Sequence, residues 1–263
     1  MLDKCIARAR NAEIYSWENN LVLKLFYDFI PVEKVDTEFS KTILIREKTH
    51  ICPEIHDRIS LHEGEGIVFE NIQGKSITYN LLNNPLRVRE LATAMGNTHR
   101  DIHNISMDEL PEIKVEIKTK IENSTILHEE QKTQLEDILS NLPHEDKLCH
   151  MNFHPDSIFV VGEGVKVIDW MDSGKGYPML DVAKTVILLR FSSLPFQNML
   201  FRGVVKLSRE ILIKEYLDAY FQGEHHNENE FRKCMLLAAA ARIDEKLPES
   251  EVERLKAFIL EAL

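Results

Sequence analysis

The sequence predicts an α+β fold in two parts, a small antiparallel sheet with one helix over residues 1–74 and a mainly helical part over residues 75–263. Short β-branched and aromatic runs, separated by turn residues, dominate the beginning of the chain and are typical of strands. Apolar residues at helical spacing dominate the remainder. A loop that ends at Gly74 joins the two patterns and is the predicted boundary between them.

The composition is that of an acidic globular protein. The chain has 263 residues, of which 44% are hydrophobic, and its 32 Lys and Arg against 43 Asp and Glu give a net charge of −11. That hydrophobic share is sufficient for a core, whereas the negative charge disfavours nucleic acid as a partner. The four cysteines are scattered, no apolar run approaches the ~20 residues of a membrane span, and the start does not resemble a signal peptide. We therefore expect a reduced, cytoplasmic protein without a membrane partner.

Two strands and a helix are predicted at the start of the chain. The strands cover residues 12–17 and 21–26, with Asn19 and Asn20 as the turn between them. Lys24 lies inside the second apolar run, where an ammonium group is costly unless it is paired or binds a ligand. A lysine on an edge strand that points to solvent is the alternative.

A helix is predicted over residues 31–48, with Lys41 on its polar face. Glu38 is the expected partner of Lys24, and Asp36 is the alternative because both acids lie on this helix. A hairpin over residues 57–62 and 66–72 follows.

A later helix, over residues 86–105, carries His99 and His103 four positions apart on one face. Such a pair can bind a metal. We expect no third ligand near this pair, so packing is the expected role of the helix. Further helices are predicted over residues 182–191, 207–222, 227–243 and 249–263.

The stretch from residue 148 to 172 contains most of the chemistry-bearing residues. Two β-branched runs, 158–161 and 165–168, are separated by Gly-Glu-Gly and predict a β-hairpin. Because a hairpin brings its outer ends together, we expect Asn152, Ser157 and Asp169 to face one place, as in a small metal-and-phosphate site.

This stretch resembles the catalytic loop and the metal-binding segment of the aminoglycoside phosphotransferase and choline kinase family. The loop falls on residues 150–157, the metal segment on 167–170, and residues 176–183 resemble the family's Asp-Pro-x-x-Asp-Leu-Ala. The resemblance implies a two-lobed protein kinase-like fold and transfer of the γ-phosphate of ATP, with Mg²⁺, to a hydroxyl of a small acceptor that is aminated and sugar-like in many relatives. It covers most of the chain and is weakest in the N-terminal part.

The resemblance also implies a role for individual residues. Lys24 binds phosphates and pairs with Glu38, and backbone groups of a hinge around Glu70 and Ile72 bind adenine. Asp181 stabilises the catalytic loop. Asp169 and Ser157 are the implied metal ligands, and Asn152 is the residue that orients the acceptor hydroxyl. His150 and His154 lie in the same loop and either take part in the reaction or only stabilise the loop.

Three departures from the family pattern leave two functions open. The family's catalytic aspartate is Asn152 here, its metal-binding asparagine is Ser157, and residues 6–13, at the nucleotide loop, lack glycine. Arg8 or Arg10 is a possible source of charge in that loop. The first hypothesis is an active phosphotransferase. The alternative is a catalytically silent, kinase-like protein that binds a nucleotide or another ligand and acts in regulation.

Acidic residues late in the helical part are the predicted contacts of a cationic acceptor. They are Asp244, Glu245 and Glu249, at positions where relatives often place such groups. The alternative interpretation is that these residues lie at an exposed helix end and contact no acceptor.

Overall fold

Residues 4–192 and 199–263, described by a computed structural model, divide into two units. The first comprises the residues up to Ile77 together with Asp156–Asp172, and the second comprises Thr78–Pro155 and Ser173–Leu263. The α+β fold class is confirmed. The predicted boundary at residue 74 had placed residues 156–172 in the helical part, whereas their contacts group them with the first unit.

The chain begins with strands and one helix and is mainly helical thereafter, as the hydrophobic pattern predicts. The strands are β1 (Cys5–Arg8), β2 (Ala12–Trp17), β3 (Leu21–Phe26), β4 (Ile55–Leu61), β5 (Gly64–Glu70), β6 (Lys75–Ser76), β7 (Lys147–Cys149), β8 (Ile158–Val161), β9 (Gly164–Val167) and β10 (Gly174–Gly176). The helices are α1 (Val32–Lys48), α2 (Ile77–Asn83), α3 (Val88–His103), α4 (Ile113–Glu122), α5 (Glu129–Ser140), α6 (Pro178–Phe191), α7 (Met199–Phe221), α8 (Glu228–Arg242) and α9 (Glu249–Ala262).

The first unit is built on an antiparallel sheet of five strands in the order β1-β2-β3-β5-β4. Asn19 and Asn20 connect β2 to β3 with φ of 56° and 60°, left-handed conformations that asparagine tolerates better than most residues. Helix α1 packs on one face of this sheet. The second small sheet pairs β6 with β8 and β8 with β9, so the predicted hairpin is present.

Side chains of β3 alternate between the two faces of the sheet, which places Lys24 on the α1 face beside apolar neighbours. The α1 face has Ala12, Phe26, Val35 and Ile67 as its buried core. Leu23, Leu25 and Val68 form the core of the opposite face. Lys24 is therefore surrounded by core residues and needs an ionic partner.

The second unit consists mainly of helices around α6 and α8. Helix α3 packs against α7, and α8 packs against α6, α4 and α9. A Cβ at Gly96 would lie 2.4 Å from the carbonyl oxygen of Tyr216, so glycine permits the close approach of α3 and α7. None of the helices within the described ranges is long and apolar enough to cross a membrane.

Candidate functional site

In the first unit, Lys24 pairs with Glu38, its predicted partner. Lys24 Nζ lies 2.6 Å from Glu38 Oε1 and 2.9 Å from Glu38 Oε2. It also lies 2.9 Å from Asp169 Oδ1, so one ammonium group joins two carboxylates. Asp36, the alternative partner, instead binds Arg58 Nε at 2.7 Å.

Burial and charge act in opposite directions on this cluster. Burial lowers the pKa of Lys24, but the charges of Asp169 and Glu38 outweigh it and hold that pKa above its ordinary value. Burial raises the pKa of Glu38, although Lys24 opposes the shift. With all three groups ionised, the cluster carries one net negative charge, which is favourable for a further cation.

Asp169 lies directly after the β8–β9 hairpin in a left-handed backbone conformation, with φ of 71°. Such a conformation costs about 1–3 kcal/mol for most residues other than glycine, and aspartate tolerates it better than most. Two contacts hold the chain around it. Trp170 Nε1 donates to the carbonyl of Val167 at 2.7 Å, and Lys41 Nζ donates to the carbonyl of Met171 at 2.9 Å.

The role of Lys41 is one that the sequence did not predict. It was expected on the polar face of its helix, but only 8% of its surface is exposed. Its position three residues after Glu38 places both on the same side of α1, and this spacing is the signal that could have identified it.

Ser157, the second predicted metal ligand, begins the β8 side of the same hairpin. It is 2% exposed, and its carbonyl accepts a hydrogen bond from the backbone N–H of Ile168 at 2.9 Å. Its hydroxyl is an uncharged oxygen donor, so Asp169 provides the only charge of the predicted pair.

The predicted hinge follows β5. Glu70 Oε1 lies 2.5 Å from Lys166 Nζ on β9, and the backbone N–H of Glu70 donates to Glu54. Burial acts to raise the pKa of Glu70, but Lys166 and a hydrogen bond from the backbone of Glu54 to the Glu70 carboxylate hold that pKa below its ordinary value. The carbonyl of Ile72 accepts from the N–H of Gly74 at 2.9 Å.

The segment at the nucleotide-loop position is a tight turn between β1 and β2. The backbone N–H of Ala9 donates to the carbonyl of Ala12 at 2.8 Å, so this amide is used within the turn. Arg8, one of the two predicted charge donors, lies 2.9 Å from Glu13. Arg10 is exposed.

In the second unit, the predicted catalytic loop is fixed by Asp181 in the first turn of α6. Asp181 Oδ2 accepts a hydrogen bond from the backbone N–H of His150, and Oδ1 accepts one from Met151 at 2.9 Å. Met151 has φ of 60°. Next in the loop, the backbone N–H of Asn152 donates to Nδ1 of the fully buried His150 at 3.2 Å. Asp181 and His150 thus fix the backbone conformation of the loop at Asn152. The side chains of Asn152 and His154 are both half-buried.

Asp181 also meets the two histidines of α3, so the expectation that they lack a third potential ligand is wrong. His99 Nε2 lies 3.0 Å and His103 Nε2 lies 3.2 Å from Asp181 Oδ2. On the other side of each ring, His99 Nδ1 is 2.7 Å from the hydroxyl of Tyr216, and His103 Nδ1 is 2.7 Å from that of Tyr220.

The charge state of this buried cluster follows from its surroundings. Burial lowers the pKa of His99 to about 4, and His103 adds to the shift. Burial acts to raise the pKa of Asp181, but the two imidazoles around it hold that pKa well below its usual range. At neutral pH the cluster is therefore a carboxylate with a neutral His99.

Two of the acids predicted to contact an acceptor have partners within the protein. Asp244 Oδ1 accepts from the backbone N–H and hydroxyl of Thr125 at 3.0 and 2.8 Å, and Oδ2 accepts from the hydroxyl of Ser124. Glu245 Oε2 lies 2.7 Å from Arg242 Nη1. Glu249 is the first residue of α9 and is exposed.

Comparison with known proteins identifies the family. A family model described as "Phosphotransferase enzyme family" matches residues 9–237. Comparison with curated proteins gives no match.

Several solved structures resemble this fold at low sequence identity. A choline/ethanolamine kinase family protein from Mesorhizobium loti is 14% identical, with a TM-score of 0.62, over 97% of this chain and 87% of its own. An amicoumacin kinase in complex with AMP-PNP, Ca²⁺ and Ami is 15% identical, with a TM-score of 0.61, over 98% of this chain and 87% of its own. An aminoglycoside-3'-phosphotransferase of type VIII is 15% identical, with a TM-score of 0.62, over 92% of each chain.

Proposed function

Because the chain belongs to the phosphotransferase enzyme family, we propose that it transfers the γ-phosphate of ATP to a hydroxyl group of a small molecule. The observation that carries the proposal is the buried Lys24, fixed by Glu38 and Asp169. Phosphoryl transfer depends mostly on positioning and on neutralising phosphate charge. A lysine that two carboxylates hold in place is suited to that task.

Lys24 is the proposed ligand of the nucleotide phosphates, with Glu38 as the residue that positions it. The backbone after β5, at Glu70 and Ile72, is the proposed contact of adenine. The amicoumacin kinase with AMP-PNP supports an adenine nucleotide, since that protein has the same fold.

A hard divalent cation such as Mg²⁺ fits the chemistry of the cluster. Mg²⁺ prefers oxygen ligands and usually keeps several waters. Asp169 and Ser157 would hold it, and the net negative charge of the Lys24 cluster favours it. When bound, the cation neutralises charge on the phosphate oxygens.

Asn152 is the proposed contact of the acceptor hydroxyl, and His154 in the same loop is the proposed second contact. The amide oxygen of Asn152 can accept a hydrogen bond from the hydroxyl, but it cannot take the proton. General-base catalysis contributes typically ~10²–10⁴-fold, so we expect slow turnover. His150 positions the loop rather than reacting, since it is fully buried.

An aminated acceptor is the proposed substrate class. The family's solved relatives include an aminoglycoside phosphotransferase and a choline/ethanolamine kinase family protein. The net charge of −11 also favours a cationic molecule. Of the three acids predicted to contact it, Asp244 and Glu245 have partners within the protein, and Glu249 is exposed.

A catalytically silent binding protein is the second candidate. The closed turn between β1 and β2 favours it, because the N–H of Ala9 is bonded to Ala12 rather than open to a phosphate. Asn152 in place of an aspartate favours it as well. In this case nucleotide binding would persist without transfer to any acceptor.

Two measurements test the proposal. ATP titration with and without Mg²⁺ should show binding that Lys24→Ala weakens by about 10-fold or more, as expected for a lost charge-assisted contact. Lys34→Ala, an exposed lysine on α1, is the matched control and should leave affinity unchanged. ADP release across a panel of aminated acceptors then tests turnover. Equal ATP affinity in folded wild type and Lys24→Ala would contradict the nucleotide assignment.

A further inference from the structure

The cluster of His99, His103 and Asp181 has the composition of a metal site. Each residue offers one ligand atom, and these atoms all lie within 4.8 Å of one another. The three residues are 0%, 5% and 0% exposed. They come from two helices, α3 and α6, so the cluster is assembled by the fold.

Asp181 Oδ2 has more nitrogen neighbours than it can bind by hydrogen bonds. His99 Nε2, His103 Nε2 and the backbone N–H of His150 all approach this single oxygen. A carboxylate oxygen has two lone pairs. His99 Nε2 is the nitrogen left over, because it is buried and has no hydrogen bond among the described residues despite its 3.0 Å distance.

The outer sides of both rings have the surroundings typical of metal-bound histidines. Such a histidine usually donates its second ring N–H to an oxygen, which fixes the ring and leaves the other nitrogen free to coordinate. Here Nδ1 of His99 and of His103 each face a tyrosine hydroxyl at 2.7 Å, from Tyr216 and Tyr220. With Nδ1 as the donor, both Nε2 lone pairs point at the carboxylate.

We propose that a divalent cation of the Zn²⁺ type binds His99 Nε2, His103 Nε2 and Asp181 Oδ2. Coordination resolves the crowding, since Oδ2 then has two partners, the cation and the N–H of His150. Two imidazoles and one carboxylate suit Zn²⁺ or a similar transition metal better than Mg²⁺, which prefers oxygen. They supply three of the four ligands of a tetrahedral zinc.

The proposed metal would have a structural role in this fold. Asp181 holds the backbone of His150 and Met151, so a cation on Asp181 would tie that loop to α3. This site differs in residues and ligand chemistry from the Mg²⁺ site proposed at Asp169. The proposed metal site does not depend on whether the chain transfers phosphate.

Metal analysis of the wild-type protein, purified without a histidine tag, tests the proposal in the absence of nucleotide. We expect about one Zn²⁺ per chain, as for a single site. Chelation under mildly denaturing conditions should lower the melting temperature, and added Zn²⁺ should restore it. Refolding with Co²⁺ should give visible absorption bands of a coordinated ion.

Variants locate the site. His99→Leu should abolish the Co²⁺ bands, whereas His144→Leu, whose side chain is 71% exposed, should retain them. Tyr216→Phe should weaken Co²⁺ binding by about 10–100-fold, as expected when the partner of a metal-bound histidine is removed.

If wild type holds no metal and refolds equally well with and without Zn²⁺, the cluster is a hydrogen-bonded network and the proposal is wrong. Retention of the bands in His99→Leu would also overturn it, and the wild-type measurement decides if that variant does not fold.

Discussion

Lys24 and Asp169 lie 2.9 Å apart although 145 positions separate them in the chain. Lys24 is also bonded to Glu38, so its removal would leave the buried carboxylate of Glu38 and the partly exposed carboxylate of Asp169 without this counter-charge. The contact therefore links stability to the proposed nucleotide site.

Lys24→Met should destabilise the protein by about 3–5 kcal/mol, the range for breaking a buried ion pair by removing one partner. The free energy of unfolding, measured in urea, checks this. Lys24→Met/Glu38→Gln should recover part of the loss because it removes one uncompensated charge. Equal stability of Lys24→Met and wild type would show that the buried ammonium makes no net contribution.

Gly96→Ala should destabilise the contact between α3 and α7. The added methyl would meet the backbone oxygen of Tyr216 at 2.4 Å, and backbone cannot move as a flexible side chain can. We expect a loss of about 1–3 kcal/mol, typical of overpacking, measured by urea unfolding.

Gly164→Ala is the matched control for that substitution. The nearest atom to a Cβ at Gly164 is 3.8 Å away, which is ordinary contact. Only a small change is expected there. If both substitutions destabilise the protein by a similar amount, the loss of glycine at each position, and not the packing of α3 against α7, is the cause.

Asp244→Asn should cost about 1 kcal/mol of stability at neutral pH, because the carboxylate accepts several hydrogen bonds from Ser124 and Thr125. Burial acts to raise the pKa of Asp244, but these donors hold it below its ordinary value of 3.8. A lowered folded-state pKa gives stability that is present above the unfolded value and lost as pH falls through the folded value. The difference between wild type and variant should therefore shrink below about pH 4. A difference that grows on acidification would contradict this account.

Local patterns were sufficient for much of the fold. Strands β2 and β3 coincide with their predicted ranges because two runs rich in apolar residues flank an Asn-Asn turn, and this short turn sets their register. The β8–β9 hairpin, whose turn contains Gly162 with φ of 58°, is also present, with β8 at its predicted range and β9 one residue earlier than predicted. The choice between Glu38 and Asp36 required the structure, since both acids lie on α1 and the contacts of Glu38 with Lys24 and of Asp36 with Arg58 separate them.

Contacts between distant parts of the chain account for what the sequence did not predict. His103 and Asp181 are 78 positions apart in the chain and lie on different helices. Their meeting depends on how α3, α6 and α7 pack, which hydrophobic periodicity does not specify. For Lys41, the spacing from Glu38 indicates the side of α1 on which it lies, but its partner, the backbone oxygen of Met171, has no signature in the sequence.

Asn152→Asp separates the two proposed functions. The change is nearly isosteric and supplies the proton acceptor that the wild-type amide lacks, while the backbone contact of residue 152 to His150 does not depend on its side chain. If the nucleotide site is otherwise competent, ADP release in the presence of a suitable acceptor should rise by ~10²–10⁴-fold, the range of general-base catalysis.

Asn152→Asp/Asp169→Ala is the background control, and a gain that disappears in this double variant shows transfer through the proposed site. If the turn between β1 and β2 and Ser157 also misplace the γ-phosphate, one carboxylate cannot repair them. ATP binding without any gain across the acceptor panel would then favour the regulatory binding protein over the enzyme.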